Sequence, residues 1–538
     1  MKSVNTKLPS DLKLFVVSDL IEFFKRIGNA FPGFMMDDGE DGRNHNDKNF
    51  EPQAFPPIED DCMHCFDYID TGLDVDDEDD EDEDGREDAS EDGASEQWSK
   101  ELYSYKPGDF AGPTPGPTRN LEAAANELDF FYLMFPPSLI EHLTQVTNQF
   151  SEQQRITNPD IPSWKPVSVD EMKVFLGMRI FMSIPFPHEL AFWDSSNPLG
   201  SISMADVMSM ERFRDISMNF CANDEKKQPP EGDTNYDKLY EVRPVINEVL
   251  AKCLLEYNSH QSCLIHASHI HASDNPGFIL RRKPFNMEVL MRSDSVSGYC
   301  CEFLVYVGEV NHENEDDEPQ PEKRFPSRMV LELCQKLKGL NHVITMSSYF
   351  TSPKLIKTLL SMDVLARGTV TRKLKGFPNT LLSQTRVAKQ GESAVAQQGS
   401  TSAYAYAWQN RDVVNLISTA DDPTAVSSLE WEHRGKKRAV PYPGVLKEYN
   451  KCMGRMEKLD RSRVECSTAR ESSRWWVYLF WCVFDIAILN AFVLMRDSKA
   501  HQRSAPNGKR KTLKMLKFRQ NLSKQLMDHK EHVGEGEK

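Results

Sequence analysis

The sequence is poor in several signals that would narrow its class. Its eleven cysteines are scattered over 538 residues and only Cys300 and Cys301 are adjacent. That excludes a disulfide-stapled scaffold and points to a reducing compartment. The opening residues, MKSVNTKLPSDLKLFVVSDLIEFF, hold no continuous apolar core followed by small residues, so a signal peptide is not expected. One apolar run, WWVYLFWCVFDIAILNAFVLM at 475–495, is long enough to cross a bilayer. Asp485 lies near its centre, where an acid costs about 2.5–3.5 kcal/mol on insertion scales. The run is therefore expected as a buried core helix, and no membrane partner is expected. Acid is missing from one further place: no Asp or Glu occurs between Glu256 and Asp274. That segment, SCLIHASHIHASDNP, reads as a β-strand and carries His266, His269 and His271 within six positions.

Charge is unevenly spread. Residues 37–92 hold 25 Asp or Glu against Arg43, Lys48 and Arg86, a local charge of −22 within a total of −18, which leaves +4 elsewhere. Such a density of like charge repels itself and buries no apolar area, so residues 1–125 are expected to be a disordered acidic N-terminal region. Ser90 and Ser95 are candidate phosphate acceptors there. Cys62, His64 and Cys65 form a CxHC cluster without a second half, a weak zinc signal. The remainder, 39% hydrophobic and 10% aromatic over the whole chain, suffices for large cores.

From 126 to 260 the period is helical. Leu139, Ile140, Leu143 and Val146 recur at three- and four-residue spacing, and Ser168 to Glu171 (SVDE) reads as a capping box opening a helix. The period then falls to two. EVLMRSDSVSGYCCEFLVYVGEV reads as strand, turn, strand, with Phe303, Val305 and Val307 alternating. HVITMSSYF and VLARGTV add strands, with helices in PSRMVLELCQKLKGL and SPKLIKTLLSM, so an α/β sheet is expected. Residues 367–445 are polar and turn-rich and read as an insertion; helices resume at 446. Between Lys499 and Lys524 the chain carries nine Lys or Arg and no acid.

The blocks WKPVSVDEMKVFLGMRIFM, PLGSISMADVMSMERFRDI, GDTNYDKLYEVRPVINEV, ITMSSYFTSPKLIKTLL, GTVTRKLKGFP, and YNKCMGRMEKLD with SSRWWVYLFWCVFDIAILNAF resemble, in order, those of piggyBac-type transposases. The resemblance covers about 127–525. It implies an α/β RNase H-like core of the DDE transposase type, at 261–366 with a closing helix at 446–457, interrupted by an insertion domain at 367–445. A helical domain of DNA-binding or dimerisation type would be built from 126–260 and from 458–527, the latter ending in a basic tail. A disordered C-terminus, 528–538, would follow.

The family's chemistry uses three aspartates to hold two divalent metals, because hard cations need anionic oxygen ligands. At the corresponding places this sequence has His266 (Leu264 and Ser268 being the neighbouring registers), Ser347 in TMSSYFTS, and Glu457 in GRMEKLD, with Asp460 retained nearby. The resemblance therefore implies a degenerate triad, no functional catalytic residue and no metal or other cofactor. Mg2+ or Mn2+ enters only if the chain is an active nuclease or transposase using Glu457 and Asp460 with substitute acids such as Asp274 or Asp294. His269 and His271 with Glu457 are a second, softer donor set, for zinc.

The expected function is that of a catalytically inactive nuclear protein associated with DNA or chromatin, with a protein-interaction scaffold as the other class. Candidate nucleic-acid contacts are Arg372, Lys373, Lys375, Arg434, Lys436, Lys437, Arg438, Lys509, Arg510 and Lys511, the last three doubling as a nuclear import signal. Trp408, Trp475, Trp476 and Trp481 are candidates for stacking on bases. Family members often end in a cysteine-rich zinc module that reads the transposon end. No cysteine follows Cys482, so only weak sequence reading of DNA is expected. A homodimer and chromatin proteins are the other expected partners.

Overall fold

The structure, a computed structural model, describes residues 97–159, 163–184, 204–269, 287–307, 325–371, 374–383, 387, 391–407, 413–433, 436–469, 474–501, 503–504, 510–511 and 514–528. All lie within one compact unit, Cys62–Lys538. In chain order the strands are β1 (Gly116–Pro117), β2 (Tyr257–Asn258), β3 (Ser262–His269), β4 (Met287–Asp294), β5 (Cys300–Val307), β6 (Val343–Met346), β7 (Leu365–Val370), β8 (Ser393–Gln398), β9 (Thr401–Ala407), β10 (Val413–Ser418), β11 (Val426–His433), β12 (Lys436–Pro443), β13 (Arg503–Ser504) and β14 (Arg510–Lys511). The helices are α1 (Glu127–Met134), α2 (Pro137–Thr157), α3 (Val169–Met182), α4 (Met204–Val207), α5 (Met210–Asn219), α6 (Arg243–Leu255), α7 (Phe325–Cys334), α8 (Pro353–Ser361), α9 (Asn379–Ser383), α10 (Gly444–Glu465), α11 (Trp475–Asp497) and α12 (Met515–Met527).

An eight-stranded sheet in the order β5-β4-β3-β6-β7-β10-β9-β8 forms the centre. β3 runs antiparallel to β4 and parallel to β6, and β6 parallel to β7. Side chains alternate along each strand, so the sheet has two distinct faces. Cys263, Ile265, Leu290, Ile344 and Ala366 bury one face under α7, α8 and α9. Val289, Met291 and Phe303 turn the other face of β4 and β5 towards the helical domain. Residues 367–445, expected as a separate insertion, divide in the structure. β10, β9 and β8 continue the same sheet beyond β7, because β10 pairs with β7 from Asn415↔Val370 to Ser418↔Arg367. β11 and β12 form a hairpin of their own.

The helical domain closes around α11. That helix is apolar on all sides because every side is covered: the residues from Trp476 to Leu494 are all buried. Among the described residues it is the helix long and apolar enough to cross a membrane, and it is wholly buried in protein. Its central acid is neutralised within the core. Asp485 accepts from Arg519 of α12 at 3.1 Å, from the Thr468 amide at 2.9 Å and from the Ser467 hydroxyl at 3.2 Å. Arg519 also donates to the Ser183 hydroxyl at 3.1 Å. Asn490, on the same helix, clasps β5, accepting from the Cys300 amide at 2.8 Å and donating to its carbonyl at 2.9 Å. Trp476 and Trp481, offered above for base stacking, are 2% and 1% exposed in this core and are unavailable to bases. Trp475 is partly buried against the same core and Trp408 lies outside the described residues.

Two helix starts differ from the expected signal. Ser168 caps α3 by accepting from the Glu171 amide at 3.1 Å, but the Glu171 carboxylate does not close the box. It turns instead to Arg212, with contacts of 2.6 and 2.7 Å, tying α3 to α5. The complete capping box belongs to Asn126 and Asp129, at the start of α1. Residues 97–125, expected as the end of a disordered front, lie along the body. Ser99 exchanges backbone hydrogen bonds with Gln397 at 2.9 and 2.8 Å, covering the outer edge of β8. Phe110 packs edge-on against His342, Ala111 donates to Leu340 at 3.1 Å, and β1 pairs with β2. The acidic tract before residue 97 lies outside the described residues.

Candidate functional site

The site is defined by strand register. β3 pairs with β6 through Leu264↔Thr345, and β6 with β7 through Thr345↔Arg367 and Met346↔Gly368. Continuing those registers two residues towards the carboxyl ends sets His266, Ser347 and Thr369 in one row, on the face opposite Ile265, Ile344 and Ala366. Helix α10 crosses this face: Tyr449 meets the Thr369 hydroxyl at 3.3 Å and Cys452 meets the Ser262 hydroxyl at 3.3 Å. The places that the sequence assigned to the first and second triad positions are thus neighbours, and the helix carrying the third runs over them. Ser347 opens a turn in which its carbonyl accepts from the Thr351 hydroxyl at 2.8 Å. The turn packs closely on β7. A Cβ added at Gly368 would fall 2.1 Å from the Thr351 hydroxyl oxygen and 3.0 Å from the Met346 carbonyl oxygen.

The donors on the row are an imidazole and two hydroxyls, which do not fit a pair of hard divalent cations. The acids nearby do not repair the deficit. Glu288, across from His269, shares the opposite face with Leu290. Asp294 is paired with Cys263, at the far end of β3 from His266 and on the other face. It is fully buried and engaged: it accepts from the His260 amide at 2.5 Å and its ring at 2.8 Å, and from the Val296 and Ser297 amides at 2.8 and 2.7 Å. Burial pushes this carboxyl up, but those hydrogen bonds and the His260 charge outweigh it and hold it below its ordinary 3.8. The Asp294 bond in turn raises His260. The expectation of Asp294 as a substitute metal ligand is therefore corrected: it locks the turn between β4 and β5 onto the start of β3. Asp274, His271 and the side chains of His269, Glu457 and Asp460 lie outside the described residues. Among the described residues no three His, Cys, Asp or Glu side chains converge to hold a metal.

Of the basic candidates, Lys375 is exposed on the loop after β7. Lys436, Lys437 and Arg438 sit on β12, opposite His433, Glu432 and Trp431, and Arg510 and Lys511 on β14. Their side chains, and Arg372, Lys373, Arg434 and Lys509, lie outside the described residues. Two basic residues were missed from the sequence. Lys354 and Lys357 on α8 join Lys375 around a groove of about 460 Å3 lined also by Thr358, Ser361 and Gly376. Their signal was the three-residue spacing in PKLIK, which also suits an ordinary solvated helix face. The groove lies at the carboxyl ends of β6 and β7, the end of the sheet that carries Ser347.

A mixed sheet of three antiparallel and two parallel strands, extended by three more and joined to a helical domain, defines a DDE-transposase-like fold. The chain belongs to the piggyBac-type transposase IS4 family, whose pattern matches residues 126–492. It is similar to human piggyBac transposable element-derived protein 5, 23% identical over 418 residues, covering 75% of this chain and 77% of that protein. It is also similar to human piggyBac transposable element-derived protein 3, 23% identical over 339 residues, 60% of this chain and 54% of that protein. Among solved structures it resembles piggyBac transposase in a synaptic complex with hairpin DNA, with a TM-score of 0.61, 21% identity, and coverage of 77% of this chain and 83% of that one. At that identity the likeness bears on the fold alone.

Proposed function

We propose that this chain is a nuclear, DNA- or chromatin-associated protein that has lost the strand-transfer chemistry of its family. The observation that supports the proposal is the row formed by β3 and the residue just after β6, where His266 and Ser347 are side by side, at the places where the family resemblance expects carboxylates. Affinity for DNA is supported by the exposed Lys354, Lys357 and Lys375 around one groove, and by the acid-free run between Lys499 and Lys524. Contacts of this kind grip phosphates and carry little sequence information, so binding is expected to be only weakly selective. Chromatin proteins or a second copy of the chain are further partners consistent with such a scaffold.

The test is fluorescence anisotropy of the full chain with a mixed-sequence duplex across a salt series, in Mg2+ or Mn2+, with the same samples run on a denaturing gel. The expected result is binding that weakens steeply with salt, by roughly 0.9 in log affinity per log salt for each phosphate contacted, and an intact duplex. Metal-dependent cleavage abolished by Glu457→Ala would overturn the inactive reading. Failure to bind at low salt would overturn the DNA reading and leave the protein scaffold.

A further inference from the structure

The groove at the carboxyl end of the sheet is built from three cations with little to neutralise them. Lys354 and Lys357 are one helical turn apart on α8, exposed, and Lys375 faces them from the loop after β7. The loop runs close to the start of α8: a Cβ added at Gly376 would lie 3.6 Å from the Pro353 side chain. Among the described residues no carboxylate lies within ion-pair distance of any of the three lysines. Thr358 and Ser361 supply hydroxyls on the same wall. Those hydroxyls donate to the Lys354 and Thr358 carbonyls of α8 at 3.0 and 2.7 Å, so the lining suits a chain of carboxylates through its three cations.

The sequence holds such a chain, and the residues that follow it, from Trp98 on, lie on the β8 side of the molecule. Residues 74–92, LDVDDEDDEDEDGREDASED without its first Leu, carry fourteen acids and one base, Arg86. The strap that follows starts on the β8 edge, where Ser99 pairs with Gln397. Trp98 packs against the core cluster that includes Phe377 and Leu382. Phe377 follows Gly376 directly in the chain, and α9, which contains Leu382, packs on β8. Asp92 is six residues from Trp98, a span of at most about 20 Å, and Asp74 can reach about four times as far. A tethered ligand of this length acts at an effective concentration on the order of millimolar.

We infer that the acidic tract 74–92 binds its own chain in the Lys354, Lys357 and Lys375 groove, as an internal polyanion that phosphates must displace. The tract then sets a threshold for the DNA association proposed above, on which this regulatory part rests. A tethered competitor that half-fills its site at roughly a tenth of its effective concentration weakens an outside ligand about tenfold. Because the contact is between opposite charges exposed to solvent, it weakens as salt rises.

The contact itself is tested without DNA. In the full chain, Gly85 is replaced by the photocrosslinking residue p-benzoylphenylalanine, and crosslinked peptides are mapped by mass spectrometry after irradiation. The expected crosslinks join residue 85 to peptides containing 353–361 or 375–376, and disappear at high salt and in the variant Lys354→Glu/Lys357→Glu/Lys375→Glu. Crosslinks confined to other regions, or insensitive to those changes, overturn the inference. A mixture of isotopically heavy and light chains separates the sources. Mixed pairs would show that a second copy provides the tract, which overturns the internal contact. The regulatory part is read by anisotropy with the full chain in which all fourteen acids are changed to Asn or Gln. About tenfold tighter duplex binding is expected, with no gain when the three lysines are also reversed. A gain that persists without the lysines overturns the assignment of the groove. If no chain binds DNA, the function proposed above fails, while the crosslinks still decide the internal contact.

Discussion

Asp294 shows how far a residue's role depends on which way its strand faces. In the sequence it is an acid after a strand, beside a site short of acids. In the structure it is buried, three strand positions from His266 and on the other face, bonded to His260 and to two turn amides. The pair has a testable pH signature. Asp294 is held below 3.8, so its contribution is present above that value and is lost as pH falls through its depressed folded value. His260 is raised above 6.5, so its contribution is complete below 6.5 and is lost as pH rises through its elevated folded value. Together they stabilise most between those limits. The melting temperature of His260→Asn, measured from pH 5 to pH 9, should lie furthest below wild type at the acid end and converge on it at the alkaline end. A constant difference across that range would remove the ionic part of the account. Gly368 is a second residue whose role only packing reveals. Gly368→Ala should cost about 1–3 kcal/mol, a typical overpacking penalty, and Thr351→Ala should recover part of it, as read by urea denaturation; no recovery would place the strain elsewhere.

At the scale of elements, the apolar run at 475–495 was legible as a helix, and Asp485 argued against a membrane span. What the sequence did not disclose was the partner, because Arg519 lies 34 positions away on α12. An apolar helix with one acid resembles a helix with one error until a second helix supplies the cation. Breaking such a buried pair typically costs about 3–5 kcal/mol, and replacing both members with apolar residues is often neutral or better. Asp485→Leu should therefore destabilise strongly, while Asp485→Leu/Arg519→Met should recover most of the loss in chemical denaturation. A double variant no better than the single would mean that the pair is not the origin of the penalty. A similar close approach joins α3 to α12: a Cβ at Gly177 would meet Leu526 at 2.8 Å and the Ser523 carbonyl at 3.0 Å. Its sequence signal, a glycine inside a helix, has several meanings, and the facing helix selects one.

At the scale of the whole molecule, the strap at 97–118 ties the outermost strand to the helical domain's base. Ser99→Pro removes the amide that donates to Gln397. Hydrogen exchange should quicken in β8 and along the strap, with α11 unchanged; uniform quickening would show that the strap supports the entire fold. The strap was not legible because its composition, KPGDFAGPTPGPTR, suits loose chain as well as bound chain, and its partners lie hundreds of positions away. The sequence by itself determined the alternation of helix and strand, the family, and the absence of Asp and Glu between Glu256 and Asp274, since local periodicity and residue identity are properties of short stretches. Only the tertiary structure decided that His266 and Ser347 share one row, that Asp294 faces away from it, that β8 to β10 extend the sheet, and that three lysines from two segments share one groove. Each of these depends on pairing between distant segments, and register and facing are set by the packing of the whole chain.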